Sequence, residues 1–161
     1  MHSELSLSSL TESERRGWRV FIECAWALLD ILDSEMQAER KLSLRWYDVL
    51  VHLEDAADGL RMNELASHIL SSQSGLTRVI DRMDEAGLVR RERPPDDRRV
   101  VQVYITPKGL ETLTAARAVH QGGIERHFAA HLDEQDLEAL THALQKVRDH
   151  VRPLRPGRVS S

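Results

Sequence analysis

Residues 64–109 read ELASHILSSQSGLTRVIDRMDEAGLVRRERPPDDRRVVQVYITPKG, and the fold turns on how this run divides. Leu65, Ala66 and Ile69 fall on one side of a short helix over 62–70, which Ser71-Ser72 breaks. Ser72 is placed to cap a second helix over 73–86. In it Leu76, Val79, Ile80 and Met83 recur at three- and four-residue steps and form a buried stripe, while Ser74, Arg78, Asp81 and Arg82 face away. Gly87 supplies a left-handed stop. Residues 88–93 and 99–106 then alternate as two strands. Pro94-Pro95-Asp96-Asp97 cannot continue a ladder between them, because proline has no amide hydrogen to donate, so it forms a hairpin tip. Thr106 caps the next helix, with Pro107 at the first helical position.

The flanks extend this pattern with helices. Thr11-Glu12-Ser13-Glu14 has the spacing of a capping box and opens a first helix over 11–42. Trp18, Ile22, Ala25, Trp26, Leu29, Leu32 and Met36 lie along one stripe of it. About two dozen residues make a rod of ~36 Å, more than so small a domain encloses, so part of it is expected to pack on a partner chain. Ser43 caps a second helix carrying Trp46, Val49, Leu50 and Leu53 and ending near Asp58-Gly59. A long helix follows Pro107 to about Ala130; its Gly122-Gly123 pair permits a close crossing or bend, or else interrupts the helix. Asp133 caps the last helix, where Leu137, Leu140, Leu144, Val147 and Val151 repeat the helical spacing.

The expected fold is therefore mainly α, an α+β winged helix: six helices with a two-stranded β-hairpin wing, dimerising through the N- and C-terminal helices. A single domain is expected over 1–161. It comprises a dimerisation helix (11–42), a winged helix–turn–helix lobe (43–109), C-terminal dimerisation helices (110–151) and a disordered tail (152–161).

At 161 residues and 41% hydrophobic, the chain can bury one core. No apolar run approaches the roughly 18–20 residues of a membrane span, and no secretory leader is visible, so a cytoplasmic protein without membrane partners is expected. A single cysteine excludes an internal disulfide framework. The formal charge of −4 hides a segregation. Residues 71–108 hold eight basic and six acidic side chains, a local +2, which leaves −6 on the rest. An acidic body carrying a basic patch points to a nucleic-acid partner met at one face.

Each element of that patch has a use on double-stranded DNA. In a major groove, Arg78 can bond guanine O6 and N7, and Ser72, Gln73, Ser74, Gly75 and Thr77 can approach other base edges or phosphates. Arg82 and Arg90 suit phosphates. Arg98 and Arg99, at the hairpin tip, suit the negative potential of a narrow minor groove, with Asp96 or Asp97 orienting an arginine by a charge-assisted hydrogen bond. Arg90, Arg91 and Arg93, lower on the hairpin, either meet phosphate or pair with Glu92 and the helices. A solvated amphipathic helix is the bland alternative for 73–86, and the arginine-tipped hairpin beside it favours DNA. No glycine-rich phosphate loop, H-E-x-x-H or G-x-S-x-G is present, so no enzyme, metal or cofactor is expected.

Residues 64–109 resemble the winged helix–turn–helix of MarR-type transcriptional regulators. Asp97 and Arg99 fit its D-x-R, the alternating strand follows, and Thr106 and Gly109 fit its T-x-x-G before a long helix. The chain departs from the pattern at Leu70, where glycine is usual. The resemblance implies a homodimer on a pseudo-palindromic operator, with 73–86 in the major groove and the wing 88–106, through Arg99, in the minor groove. It implies a regulator, read here as a repressor, released by a small aromatic or phenolic effector between the dimer helices and the lobe. Trp18, Trp26, Trp46 and His52 are the candidate pocket residues, with Arg45 or Asp48 for a polar group, although tryptophans at helical spacing equally describe a core. Two other readings stay open: a winged-helix protein-interaction module that never touches DNA, and a redox sensor working through Cys24, which otherwise reads as inert buried packing. His127 and His131, four residues apart on an exposed helix with no nearby acidic ligand, are a weak metal pair.

Overall fold

The structure, a computed structural model, describes residues 10–69, 73–94 and 100–154, with the side chains of Gln73 and Ser74 left out. Six α-helices and three short strands are found among them: α1 (Glu12–Arg40), α2 (Leu44–Glu54), β1 (Leu60–Arg61), α3 (Met62–His68), α4 (Gln73–Glu85), β2 (Val89–Glu92), β3 (Gln102–Ile105), α5 (Pro107–His127) and α6 (Glu134–Val151).

The predicted caps at Thr11, Ser43, Thr106 and Asp133 form. Thr11 and Glu14 close a reciprocal capping box, the Glu14 carboxylate accepting the Thr11 amide at 2.7 Å, which holds that carboxyl below its ordinary range. Ser43 accepts the Trp46 amide at 3.2 Å, and Asp33 of α1 reaches across to accept the Leu44 amide at 2.6 Å. Asp133 accepts the Asp136 amide at 2.8 Å. Gly87 is left-handed, with φ of 73°.

Two boundaries differ from the expectation. The second helix stops at Glu54, and residues 55–59 form backbone-bonded turns, Ala56 to the Leu53 carbonyl and Gly59 to the Ala56 carbonyl. These turns deliver β1, which the sequence did not reveal. Leu60 pairs with Val103 and Arg61 with Gln102, so the expected two-stranded hairpin is a three-stranded antiparallel sheet ordered β1-β3-β2. Arg152–Leu154, expected to lie in a disordered tail, forms a 3-10 turn. Leu70, Ser71 and Ser72 lie outside the described residues, as does the segment 95–99.

One core joins the lobe to the long helices. Leu50 and Leu53 of α2, Leu65 of α3, Leu76, Ile80 and Met83 of α4, Val103 of β3 and Leu113 of α5 are all fully buried. Only Leu32 and Met36 of α1 are buried, and no residue of α6 is. Trp18 is 61% and Trp26 71% exposed, so the expectation that tryptophans pack in a core fails for these two within a single chain, whereas Trp46 packs against the core.

Two glycines mark close approaches. A Cβ at Gly109 would stand 2.1 Å from the Leu88 carbonyl oxygen, so only glycine lets the start of α5 rest on the wing's base. At Gly123 it would stand 2.5 Å from Leu32 Cδ2, so Gly123 permits a tight crossing of α5 over α1 rather than an interruption.

Candidate nucleic-acid interface

The candidate interface is built on α4. Its buried stripe of Leu76, Val79, Ile80 and Met83 leaves Thr77, Arg78, Arg82 and Glu85 exposed on the outer side. Arg78 and Arg82 are one turn apart, about 6 Å along the axis, which matches successive positions on a groove wall. Gln73 and Ser74 form the first turn of α4, and Gly75 is half-buried behind Arg78. Ser72 falls outside the described residues.

The wing is tied to this helix by a residue whose role the sequence left open. Arg91 of β2 donates from Nη1 to Asp81 Oδ1 at 2.6 Å and from Nε to Asp84 Oδ2 at 3.2 Å. Partial burial works against its charge, but the hydrogen bonds it donates to Asp84 and Asp81 outweigh it and raise the guanidinium above its ordinary range. Asp81, expected to face freely outward, is half-buried in this pair. The partners lie seven and ten residues away on another element, a separation that no short-range charge pattern displays.

At the far end of the hairpin, Thr106 Oγ1 donates to the Gly87 carbonyl at 2.7 Å while accepting the Gly109 amide at 3.0 Å. Lys108 Nζ donates to the Ala86 carbonyl at 2.7 Å, capping the C-terminal end of α4. The T-x-x-G motif thus welds three elements at one point. Arg90, assigned to phosphate from the sequence, lies over the Tyr104 ring at 4.3 Å and pairs with Glu92. Asp97, Arg98 and Arg99, assigned to the wing tip, lie outside the described residues.

The four candidate effector residues are not gathered into an enclosed pocket within one chain. Trp18, tilted against Phe21, and Trp26 stand exposed on α1, whereas Trp46 and His52 are half-buried on α2. His52 stacks on His68 of α3, centroids 5.2 Å apart, and Asp48 lies 3.6 Å from its Nε2. Cys24 is exposed, not buried, because it sits on the part of α1 that this chain does not cover.

His127 and His131 do not converge on a metal. His127 Nε2 sits 2.7 Å from Glu35 Oε1, an acidic neighbour from α1 that the sequence spacing hid, and His131 Nε2 sits 3.1 Å from the Arg126 carbonyl. No group of metal-ligating side chains occurs among the described residues. No helix of the described residues is long and apolar enough to cross a membrane.

Comparison with known proteins accords with this geometry. Residues 41–100 match the MarR family. The chain is 35% identical to AbsC, a MarR family transcriptional regulator from Streptomyces coelicolor, with a TM-score of 0.82 over 90% of this chain and 98% of that one. It is 28% identical to Sco3205 from the same organism, a MarR family transcriptional regulator whose crystal structure is in complex with DNA. That likeness has a TM-score of 0.83 and covers 95% of each chain. The HTH-type transcriptional repressor IacR of Pseudomonas putida is 29% identical over 110 residues, which are 68% of this chain and 64% of IacR. The chain thus spans just under two thirds of that relative.

Proposed function

The chain belongs to the MarR family of winged-helix transcriptional regulators, and from that premise we propose that it is a sequence-specific repressor binding a pseudo-palindromic operator as a homodimer. The family is one of regulators rather than enzymes. The observation that carries the reading is the outer face of α4, where Thr77, Arg78 and Arg82 stand exposed above a fully buried stripe while Arg91 holds the wing alongside. A helix so presented enters a major groove, with Arg78 on guanine, Gln73, Ser74 and Thr77 beside it, and Arg82 on phosphate. The wing, carrying Arg98 and Arg99 with Asp97 beside them, enters the adjacent minor groove.

Dimerisation rests on surface that one chain leaves uncovered. Trp18, Phe21, Trp26 and Leu29 on α1 and Leu144, Val147 and Val151 on α6 are exposed, large apolar side chains that a partner copy would cover. A two-fold pair sets two copies of α4 about one helical turn apart, roughly 34–36 Å, which fits two half-sites. Such a pair covers a promoter and blocks polymerase without further contacts. A small aromatic or phenolic effector fits the seam between dimer helices and lobe, near Trp46 and His52, with Trp18 or Trp26 supplied across the two-fold.

Fluorescence anisotropy tests the reading on duplex DNA from the chain's own upstream region, against a scrambled duplex, across a salt series. Nanomolar binding to the upstream duplex alone, weakened by Arg78→Ala and by Arg99→Ala, is expected. Equal, weak binding to both duplexes would leave a winged helix whose partner is not DNA.

A further inference from the structure

Alternation along β2 sends Arg91 inward to α4, so Arg90 and Glu92 project together from the opposite, outer face of the wing's sheet. On that face Arg90 stands in register with Tyr104 of β3, and Glu92 with Gln102. The Arg90 guanidinium lies over the Tyr104 ring, 4.3 Å from its centroid, and its Nη1 pairs with the Glu92 carboxylate. The ring is itself fixed. Its hydroxyl donates to Gln102 Oε1 at 3.3 Å, and Gln102 Nε2 donates to the Asp58 carbonyl at 3.2 Å. Gly59, left-handed with φ of 69°, closes the turn before β1. A Cβ there would stand 2.9 Å from Cδ1 and Cε1 of Tyr104, so only glycine lets the ring settle against this backbone.

We propose that Arg90 is a phosphate clamp of the wing, that Tyr104 is its positioning residue, and that Glu92 occupies the clamp in the DNA-free chain by standing in for a phosphate. The use of the clamp on DNA rests on the DNA-binding reading above. A guanidinium stacked on an aromatic ring uses its face and keeps its N–H donors along its edge, in the fork that suits a phosphate. Tyr104 thus confines a long side chain to one surface, and less freedom is lost when it binds.

A duplex that takes α4 in its major groove and the hairpin tip in the adjacent minor groove runs the intervening phosphate ridge past the hairpin between them. There β2 is an outer strand, the sheet order being β1-β3-β2. Glu92 holds the clamp weakly: the two side chains are 48% and 52% exposed, and an ion pair in that setting contributes little. A phosphate ridge offers several negative charges where Glu92 offers one, and its arrival releases counterions. Exchange therefore runs toward DNA, and Glu92 subtracts from affinity without preventing binding.

Fluorescence anisotropy on the full chain tests the clamp with both the upstream and the scrambled duplex at low salt, because phosphates are common to both. Arg90→Ala should weaken binding roughly tenfold and lower the slope of log K against log salt by about one. Glu92→Gln should strengthen binding about three- to tenfold with the slope kept, whereas in the Arg90→Ala background it should gain less than about twofold. Tyr104→Leu should weaken binding about threefold or more, while Tyr104→Phe, which keeps the ring, should stay within about twofold of the unaltered chain. Circular dichroism checks that each variant is folded. An unchanged slope in Arg90→Ala would overturn the clamp. Equal gains from Glu92→Gln with and without Arg90 would overturn the role of Glu92, and a loss in Tyr104→Phe as large as in Tyr104→Leu would overturn that of Tyr104. Equal, weak binding to both duplexes with these shifts intact would sink the sequence-specific reading and sustain the clamp; binding to neither would sink both.

Discussion

Arg91 at the base of the wing is fixed to Asp81 on α4 with 2.6 Å between Nη1 and Oδ1. Wing and helix therefore rotate as one body rather than as two arms on a loop. Both ends of this pair are more than a third exposed, so its worth to global stability is small, under about 1 kcal/mol. Its expected value lies in geometry. Arg91→Ala should weaken operator binding by roughly tenfold while leaving the slope of log K against log salt unchanged, because no phosphate contact is lost. Arg82→Ala should instead reduce that slope by about one. A reduced slope in Arg91→Ala would place Arg91 on phosphate and refute the clamp.

Gly109 stands where α5 meets the wing. Gly109→Ala drives a methyl to within 2.1 Å of a backbone oxygen, which cannot swing aside as a side chain can. A loss of about 1–3 kcal/mol is expected in chemical denaturation. An unchanged midpoint would mean that α5 can slide on the hairpin.

The two glycines inside α5 should part company. At Gly122 an added methyl meets only the mobile end of Arg126 at 3.1 Å, so Gly122→Ala should gain up to about 1 kcal/mol from helix propensity. At Gly123 the methyl meets Leu32, a buried side chain with little room to yield, and the gain should vanish. Equal gains at both positions would contradict the tight α1–α5 crossing.

Glu35 of α1 bridges that crossing, 2.7 Å from His127 and 2.8 Å from Arg126. The hydrogen bond to His127, more than that to Arg126, holds its carboxyl below the ordinary 4.5 despite some burial. A carboxyl lowered by folding contributes stability that is fully present above the unfolded value and lost as pH falls through the folded one. The difference in urea midpoint between the unaltered chain and Glu35→Gln should therefore close between pH 6 and about pH 3. A gap that persists at low pH would show that packing, not charge, makes the contribution.

Sedimentation should find a dimer at micromolar concentration. Val147→Glu, on the exposed side of α6, should shift it toward a monomer with diminished helicity. A monomer in the unaltered chain would remove the basis for paired half-sites.

Local chemistry made much of this fold legible. Capping residues announce helix starts through atoms three positions away, so Thr11, Ser43, Thr106 and Asp133 were readable one by one. A two-residue strand has no alternation to display, so β1 was invisible, and with it the early end of α2. The stripe through Trp18 and Trp26 told that α1 has an apolar side, but periodicity does not say whose atoms cover it; Cys24 was judged buried for the same reason. Arg91 sat in a run of arginines whose partners were distant in sequence, and only the packing of β2 on α4 separates it from Arg90, which turns to Tyr104 instead. The arginines of the wing tip, Arg98 and Arg99, lie outside the described residues.

An α6 with no fully buried residue in its own chain has a genetic corollary. An isolated helix of this length is marginal in water, so on the proposed two-fold pairing α6 gains its cover from the second copy. Any allele that spoils α4 but spares α1 and α6 then yields subunits that still marry intact ones. At equal expression three pairs in about four would carry at least one defective reader, following from two-fold assembly alone. On the proposed reading, loss of the DNA-facing surface is thus inherited as a dominant trait, and loss of the helices that join the pair as a recessive one.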